Sequence, residues 1–293
     1  MKYEFRNFKE EYYDMIHRFL VELSEENLVH INWNWARFEW MYFHPEFDRS
    51  LIDKIGLWFM DDEIVGVAIY DHYMGEAFFA AKMGHEELEQ TILDYVIANF
   101  QDENGIGLAV NDEDTRMQTL LTENGFLKEE HAENILELPI DFSVCTFEQD
   151  SLLTLEKLDI GHDLYKHHEL LWKGFDHEGE TPVDEETMYK QERMLSAPHL
   201  NTELHVIAKK EKEEYVSYCG LWYDEKTDYV YVEPVCTIPK YRKMGSAKKV
   251  LLEALQRAHK LGAKRAFVIS DDEFYKKIGF KQHSHFTFYW YKQ

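Results

Sequence analysis

Along the chain, apolar residues switch between a spacing of three to four and a spacing of two, and the order of the switches occurs twice. In the first half, Tyr12, Met15, Ile16, Phe19 and Leu20 predict a helix over 8–22, and an aromatic-rich segment over 29–43 reads as a second helix or an irregular stretch. Strands over 55–60 and 64–70 flank the Asp61-Asp62 turn as a hairpin, and 77–81 is a further strand. A helix over 86–100, a strand over 106–110, a helix over 114–123, a turn at Gly125-Phe126 and a strand over 133–138 follow. The second half predicts helices over 164–172 and 185–195, strands over 205–209, 216–223 and 229–237, a long helix over 245–261, a strand over 266–269, a short helix over 272–277 and a last strand over 286–291. Asn124-Gly125-Phe126 and Ile278-Gly279-Phe280 fall at matching places, 154 positions apart. Two copies of one α/β unit are therefore expected, joined near 139–150 and dividing the chain into 1–140 and 141–293.

The second copy carries the stretch that stands out chemically. From Val232 to Leu252 the chain reads strand, loop, helix: Pro239 ends the strand, and from Gly245 the residues Val250, Leu251, Ala254, Leu255 and Ala258 recur at helical spacing. Such a helix start offers unpaired N–H groups and the positive end of the helix dipole to an anion. Between Lys240 and Lys249 the charged residues are Lys240, Arg242, Lys243, Lys248 and Lys249, with no acid among them. Gly245 allows close backbone approach, and Ser246 and Ala247 keep the first turn small. A phosphate-bearing ligand fits this pattern. A P-loop is excluded because its glycine–lysine spacing is absent, and a dinucleotide fold because one glycine stands where three are needed.

Arg242-Lys-Met-Gly245-Ser-Ala247 resembles the Arg/Gln-x-x-Gly-x-Gly/Ala loop of the GCN5-related N-acetyltransferases. The likeness is strong from about 206 to the C-terminus and only patterned over 1–140. It implies an α/β fold of the α+β type, two tandem domains each with a mixed, mostly antiparallel sheet flanked by helices, and acetyl-CoA as co-substrate. It also implies that Val235, Cys236 and Thr237 meet the pantetheine arm and that Arg242, Lys243, Met244, Gly245, Ser246, Ala247 and Lys248 wrap the pyrophosphate. Ser246 and Lys243 depart from the usual residues of that loop. Phe274-Tyr275-Lys-Lys-Ile-Gly279-Phe280 resembles the family's Tyr-x-x-x-Gly-Phe element, whose tyrosine is the general acid; read without the resemblance, Tyr275 is a packed residue of a short helix. The asparagine that often precedes this element is missing, and Ser270 is the nearest polar residue for that cofactor contact.

Acyl transfer to an amine needs a proton removed from the amine and one supplied to the thiolate. Glu233 is the candidate base, directly or through water; its alternative is a solvated glutamate on a strand face. Strict alternation would put Tyr231, Glu233 and Val235 on one face of the strand and Val232, Pro234 and Cys236 on the other. Trp172, Phe175 and His177 fall in the region that shapes the acceptor side in the family. His162, His167, His168 and His177 lack a spaced carboxylate or cysteine set, so they read as surface or cap histidines and no metal is expected. Cys236 reads as a small strand residue, since no paired histidine is evident. In the first copy the matching junction, Lys82-Met-Gly84-His-Glu-Glu-Leu-Glu89, has no proline or arginine, and its acids would repel a pyrophosphate. That copy is expected to bind no CoA and to contribute structure, a dimer surface or one wall of the acceptor site.

Charge and cysteine content complete the picture. The formal charge is −24; residues 1–140 hold 10 Lys+Arg and 30 Asp+Glu, so this half carries −20 and the remainder −4. An acidic surface argues against nucleic acid; it either keeps the chain soluble or favours a cationic acceptor. The first ten residues contain no apolar run and no stretch approaches a membrane span. Three cysteines, Cys145, Cys219 and Cys236, form no pairing set, so a cytoplasmic protein is expected. The reading is an N-acetyltransferase acting on a small-molecule or peptide amine by direct attack in a ternary complex. Two alternatives are a catalytically silent acyl-CoA-binding sensor or scaffold and, disfavoured by the acidic surface, an aminoacyl-tRNA-dependent peptide-bond former.

Overall fold

The computed structural model describes residues 3–141, 153–210 and 214–292. Cys145 and most of the expected join lie outside the described residues. The first half runs β1 (Glu4–Asn7), α1 (Tyr13–Glu26), α2 (Trp35–Phe43), β2 (Gly56–Met60), β3 (Glu63–Tyr70), β4 (Glu76–Ala81), α3 (Glu89–Asn99), β5 (Ile106–Asn111), α4 (Thr115–Glu123) and β6 (Leu127–Pro139). The second repeats the order: β7 (Thr154–Lys157), α5 (Ile160–Gly174), α6 (Glu185–Leu195), β8 (His205–Lys210), β9 (Glu214–Tyr223), β10 (Tyr229–Thr237), α7 (Ser246–Leu261), β11 (Arg265–Ile269), α8 (Glu273–Ile278) and β12 (Lys281–Tyr291). The expected two-copy, mixed and mostly antiparallel architecture is present. The 29–43 segment resolves into a short 3-10 turn and α2, whose start Asn34 caps by accepting from the N–H groups of Ala36 and Arg37.

All twelve strands share one sheet, in the order β1-β2-β3-β4-β5-β12-β6-β11-β10-β9-β8-β7. The sixth strand of each copy has crossed to the other. Thus β12 pairs antiparallel with β5, from Phe286–Asn111 to Tyr291–Ile106, and β6 pairs antiparallel with β11, from Arg265–Pro139 to Ile269–Ile135. The two exchanged strands pair with each other in the middle. Neither half therefore closes its sheet alone, and the main apolar core draws Trp222, Tyr229, Tyr231, Phe267, Phe286 and Tyr289 of the second half into the first. A second core lies between the sheet and α7, whose buried face is Val250, Leu251, Ala254, Leu255 and Ala258, as the spacing predicts.

Candidate active site

Strands β10 and β11 run parallel and are paired only over Tyr229–Arg265, Val230–Ala266 and Tyr231–Phe267. Beyond Tyr231, no ladder joins β10 to β11 among the described residues, while β10 stays paired to β9 as far as Thr237. The result is a V-shaped opening whose left wall is the stretch expected to hold pantetheine. The β9–β10 register slips between Val232 and Val235, at the Glu233-Pro234 step. This bulge corrects the alternation: Val235 joins Val232 on the α7 side, while Cys236 packs on the α5 side, its sulfur near the Leu170 carbonyl and against Gly174. Tyr231 faces the main core.

The opening leads to α7. Gly245 has φ +85° and no side chain caps the helix start, so the first N–H groups of α7 are left for a ligand. A Cβ at Gly245 would meet no atom within 4 Å, which leaves a clear approach to the loop. Lys243 is also left-handed, at φ +61°, and Lys243, Met244 and Lys248 are exposed while Ser246 is buried. The residues present thus fit a pyrophosphate. Arg242 differs from the expectation: its guanidinium donates to the carbonyls of Thr237 (3.0 Å) and Gly174 (2.8 Å) and pairs with Asp176 at 2.8 Å. It ties the loop to the end of α5. Arg242→Ala is expected to cost about 1–2 kcal/mol in urea unfolding, with Arg242→Lys failing to restore it, because charge-assisted bonds to two carbonyls need the guanidinium fork.

The first copy shows the same junction occupied from within. Gly84 has φ +86°, its N–H donates to Glu86 Oε1 (3.0 Å), and the N–H of Met83 donates to Glu26 Oε2 (3.1 Å). Backbone hydrogen bonding lowers the Glu86 pKa, so the carboxylate is held as an anion. The corresponding gap between β4 and β5 encloses about 30 Å³ among Phe78, Phe79, Leu108, Val110, Met117 and Phe286.

At the bulge, Glu233 and Pro234 form part of the wall of a cavity of about 590 Å³. The cavity is shared: α2 and the turn after it supply Trp40, His44, Pro45 and Glu46, and α5, α6, the loops that follow them and strands β8–β10 supply the rest. Trp172, Phe175 and His177 line it as expected, with His177 stacked on Trp172 at 4.5 Å. His167 and His168 are buried in this wall, contrary to the surface or cap reading, because α5 turns them towards β8–β10. The aromatic run Trp33, Trp35, Trp40, Tyr42 and Phe43 reads in the sequence as core or as a pocket lining, and of these Trp40 lines the cavity; His205, Tyr218 and Trp222 carried no local signal and join it only through the tertiary fold. Burial pushes the Glu233 carboxyl up to about 7, against the pull of Arg37 from α2. Arg37 is itself held by Glu133 and Asp71.

Tyr275 packs against Phe274 and Phe280 beside Val235. Burial, then Cys219, Glu233 and Asp272, raise its phenol far above the ordinary range, so it stays protonated. Ser270 accepts the Asp272 N–H at 3.1 Å, which helps set the start of α8. Away from the cavity, Glu39 accepts from both the backbone N–H (2.7 Å) and Nδ1 (2.6 Å) of His199, and His17 stacks on His199 at 3.8 Å. These three bring potential metal-ligand atoms within 4.8 Å of one another, a grouping the sequence did not show. The Glu39 bond raises the His199 pKa, so the pair reads as an ion pair that fastens α2 to the second half.

Comparison with known proteins agrees with this geometry. Residues 164–280 match the family model described as Acetyltransferase (GNAT) family. Among solved structures, the chain is similar to a tandem GNAT protein from the clavulanic acid biosynthesis pathway, with 12% identity over 98% of each chain and a TM-score of 0.63. It is similar to a GCN5-related N-acetyltransferase from Sphaerobacter thermophilus, with 12% identity over 98% of this chain and 94% of that one and a TM-score of 0.59. It is also similar to the N-myristoyltransferase of Saccharomyces cerevisiae, with 11% identity, 98% and 79% coverage and a TM-score of 0.55. At such identities the structural likenesses establish the fold. A search of curated proteins finds no match.

Proposed function

We propose, starting from the match of residues 164–280 to the acetyltransferase (GNAT) family model, that the chain is a cytoplasmic acetyl-CoA-dependent N-acetyltransferase acting on a primary amine. Its units are 1–140, which binds no CoA, and 141–293, which holds it. The observation that carries the reading is the position of Glu233. It lies on the wall of a cavity large enough for a small acceptor and on the same strand that leads to the uncapped start of α7. Among the described residues, no helix is long and apolar enough to cross a membrane.

Acetyl-CoA, when bound, supplies the acyl thioester. The backbone of Val235, Cys236 and Thr237 and the 242–248 loop bind it, and the aromatic cavity orients the amine. Glu233, with its pKa near 7, takes the ammonium proton directly or through one water, so that the neutral amine attacks. Tyr275, kept protonated, gives a proton to the departing thiolate. No covalent enzyme intermediate is needed, since holding both reactants together supplies much of the rate.

The test is calorimetric titration of acetyl-CoA followed by an amine screen read by thiol release. One-per-chain binding with turnover supports the reading; binding without turnover across the panel favours a sensor, and no binding removes both. Tyr275→Phe is expected to lower kcat about tenfold with KM little changed, as the loss of a single proton donor would. An unchanged kcat would leave Tyr275 as a packing residue.

A further inference from the structure

The cavity wall holds more unused hydrogen-bonding groups than a plain alkylamine could satisfy. His167 is 3% exposed, and both of its ring nitrogens lack a hydrogen-bond partner. Trp172 Nε1 and His205 Nε2, on the same wall, are also buried without one. Buried polar atoms are nearly always paired, and these groups, unlike the other unpaired atoms of the described residues, share the wall of a cavity that can admit a ligand to complete them.

The chemistry of the cluster narrows the ligand. Burial lowers the His167 and His205 pKa values to about 3, and those of His44 and His168 fall for the same first cause. These imidazoles are therefore neutral at physiological pH, and a neutral imidazole offers one donor and one acceptor. A hydroxyl, itself both donor and acceptor, can donate to the acceptor nitrogen of His167 while accepting the Trp172 N–H. Around them stand Trp40, Trp172, Phe175, Tyr218 and Trp222, which offer flat apolar faces and suit one ammonium group through cation–π attraction. The acids at the wall are Glu233 and Glu46, offset by Lys190. The large negative charge of the first half is thus not gathered here, and a polycation would find little to pair with.

We propose that the acceptor is an aryl-alkyl monoamine bearing a hydroxyl remote from the amine, with His167 and Trp172 reading the hydroxyl. This rests on the acetyltransferase reading of the same cavity. A ligand of one aromatic ring and a short chain fits a space of about 590 Å³.

The experiment is calorimetric binding of three probes, 4-hydroxyphenethylamine, phenethylamine and spermidine, with and without saturating CoA. Binding is read without turnover, and thiol release from acetyl-CoA is measured separately. The wild type is expected to bind 4-hydroxyphenethylamine at least about tenfold more tightly than phenethylamine, because the deoxy analogue leaves the histidine unpaired. His167→Phe is expected to abolish the difference and His167→Gln to restore much of it. Should His167→Phe fail to fold, Trp172→Phe, which removes only the indole N–H and keeps an aromatic ring, is expected to cut the difference about threefold or more. Equal binding of the two aryl amines by the wild type, tighter binding of spermidine, or a difference that survives in a folded His167→Phe overturns the proposal. Selective binding with no thiol release keeps the hydroxyl-reading site but removes the acceptor role together with the acetyltransferase reading; thiol release without selectivity removes the hydroxyl reading and keeps the acetyltransferase.

Discussion

Glu233→Gln is expected to lower kcat/KM for the amine by about 100-fold or more at pH 8, in line with the loss of a positioned general base. The wild-type profile should show an ionisation near 7 in addition to the slope set by the amine itself, and the variant should keep only the slope. The sign follows from the burial. A carboxyl that ionises near 7 instead of its ordinary 4.5 is protonated and inert below that value and becomes a base above it. The same shift makes a stability prediction of opposite sense. The folded state favours the protonated carboxyl, so its contribution is fully present below about 4.5 and is lost as pH rises through about 7. Glu233→Gln should therefore be as stable as the wild type in mild acid and more stable above pH 7 by thermal unfolding. Activity loss with raised alkaline stability identifies a base kept at an energetic cost. Full activity in the variant, with a pH profile unchanged, would remove Glu233 from the chemistry.

The environment that makes Glu233 a base was only partly legible in the sequence. Its place on the strand before a basic loop could be read locally, because strand, proline, glycine and helix spacing are local signals. Pro234 in the middle of a central strand was also a legible signal: proline belongs at bulges and edges, and it sits where the register slips. Strict alternation ignored it and put Val235 on the wrong face. Arg37, Trp40, His167, His205 and Trp222 lie on four different elements of both halves, and no local pattern ties these elements together. The crossing of β6 and β12 was hidden for a similar reason. Lys128-Glu129-Glu130-His131 and Lys281-Gln282-His283-Ser284 are polar runs that carry no alternation, and hydrogen bonding between these two strands extends them well past the apolar residues that were read as strand. The edge strands β1 and β7, four residues each and mostly exposed, left too little apolar pattern to detect.

The comparison of the two loops yields the second large effect. Met83-Gly84 and Met244-Gly245 hold the glycine in nearly the same left-handed conformation, φ +86° and +85°, and two residues further on stand Glu86 and Ala247. In the first copy that glutamate takes the Gly84 N–H for itself. Ala247→Glu is therefore expected to place a carboxylate on the Gly245 N–H and weaken acetyl-CoA binding about 100-fold or more, through a lost backbone contact and repulsion of the phosphates. The fold should not suffer, because an acid in the first turn suits the helix dipole by about 0.3–1 kcal/mol. Unfolding temperature is thus expected to hold or rise while calorimetric affinity collapses, and raised salt should recover part of it by screening the repulsion. Ala247→Gln, uncharged and of the same length, should lose far less affinity. If Ala247→Glu binds acetyl-CoA as the wild type does, the start of α7 is not the phosphate site, and the difference between the two copies must lie elsewhere.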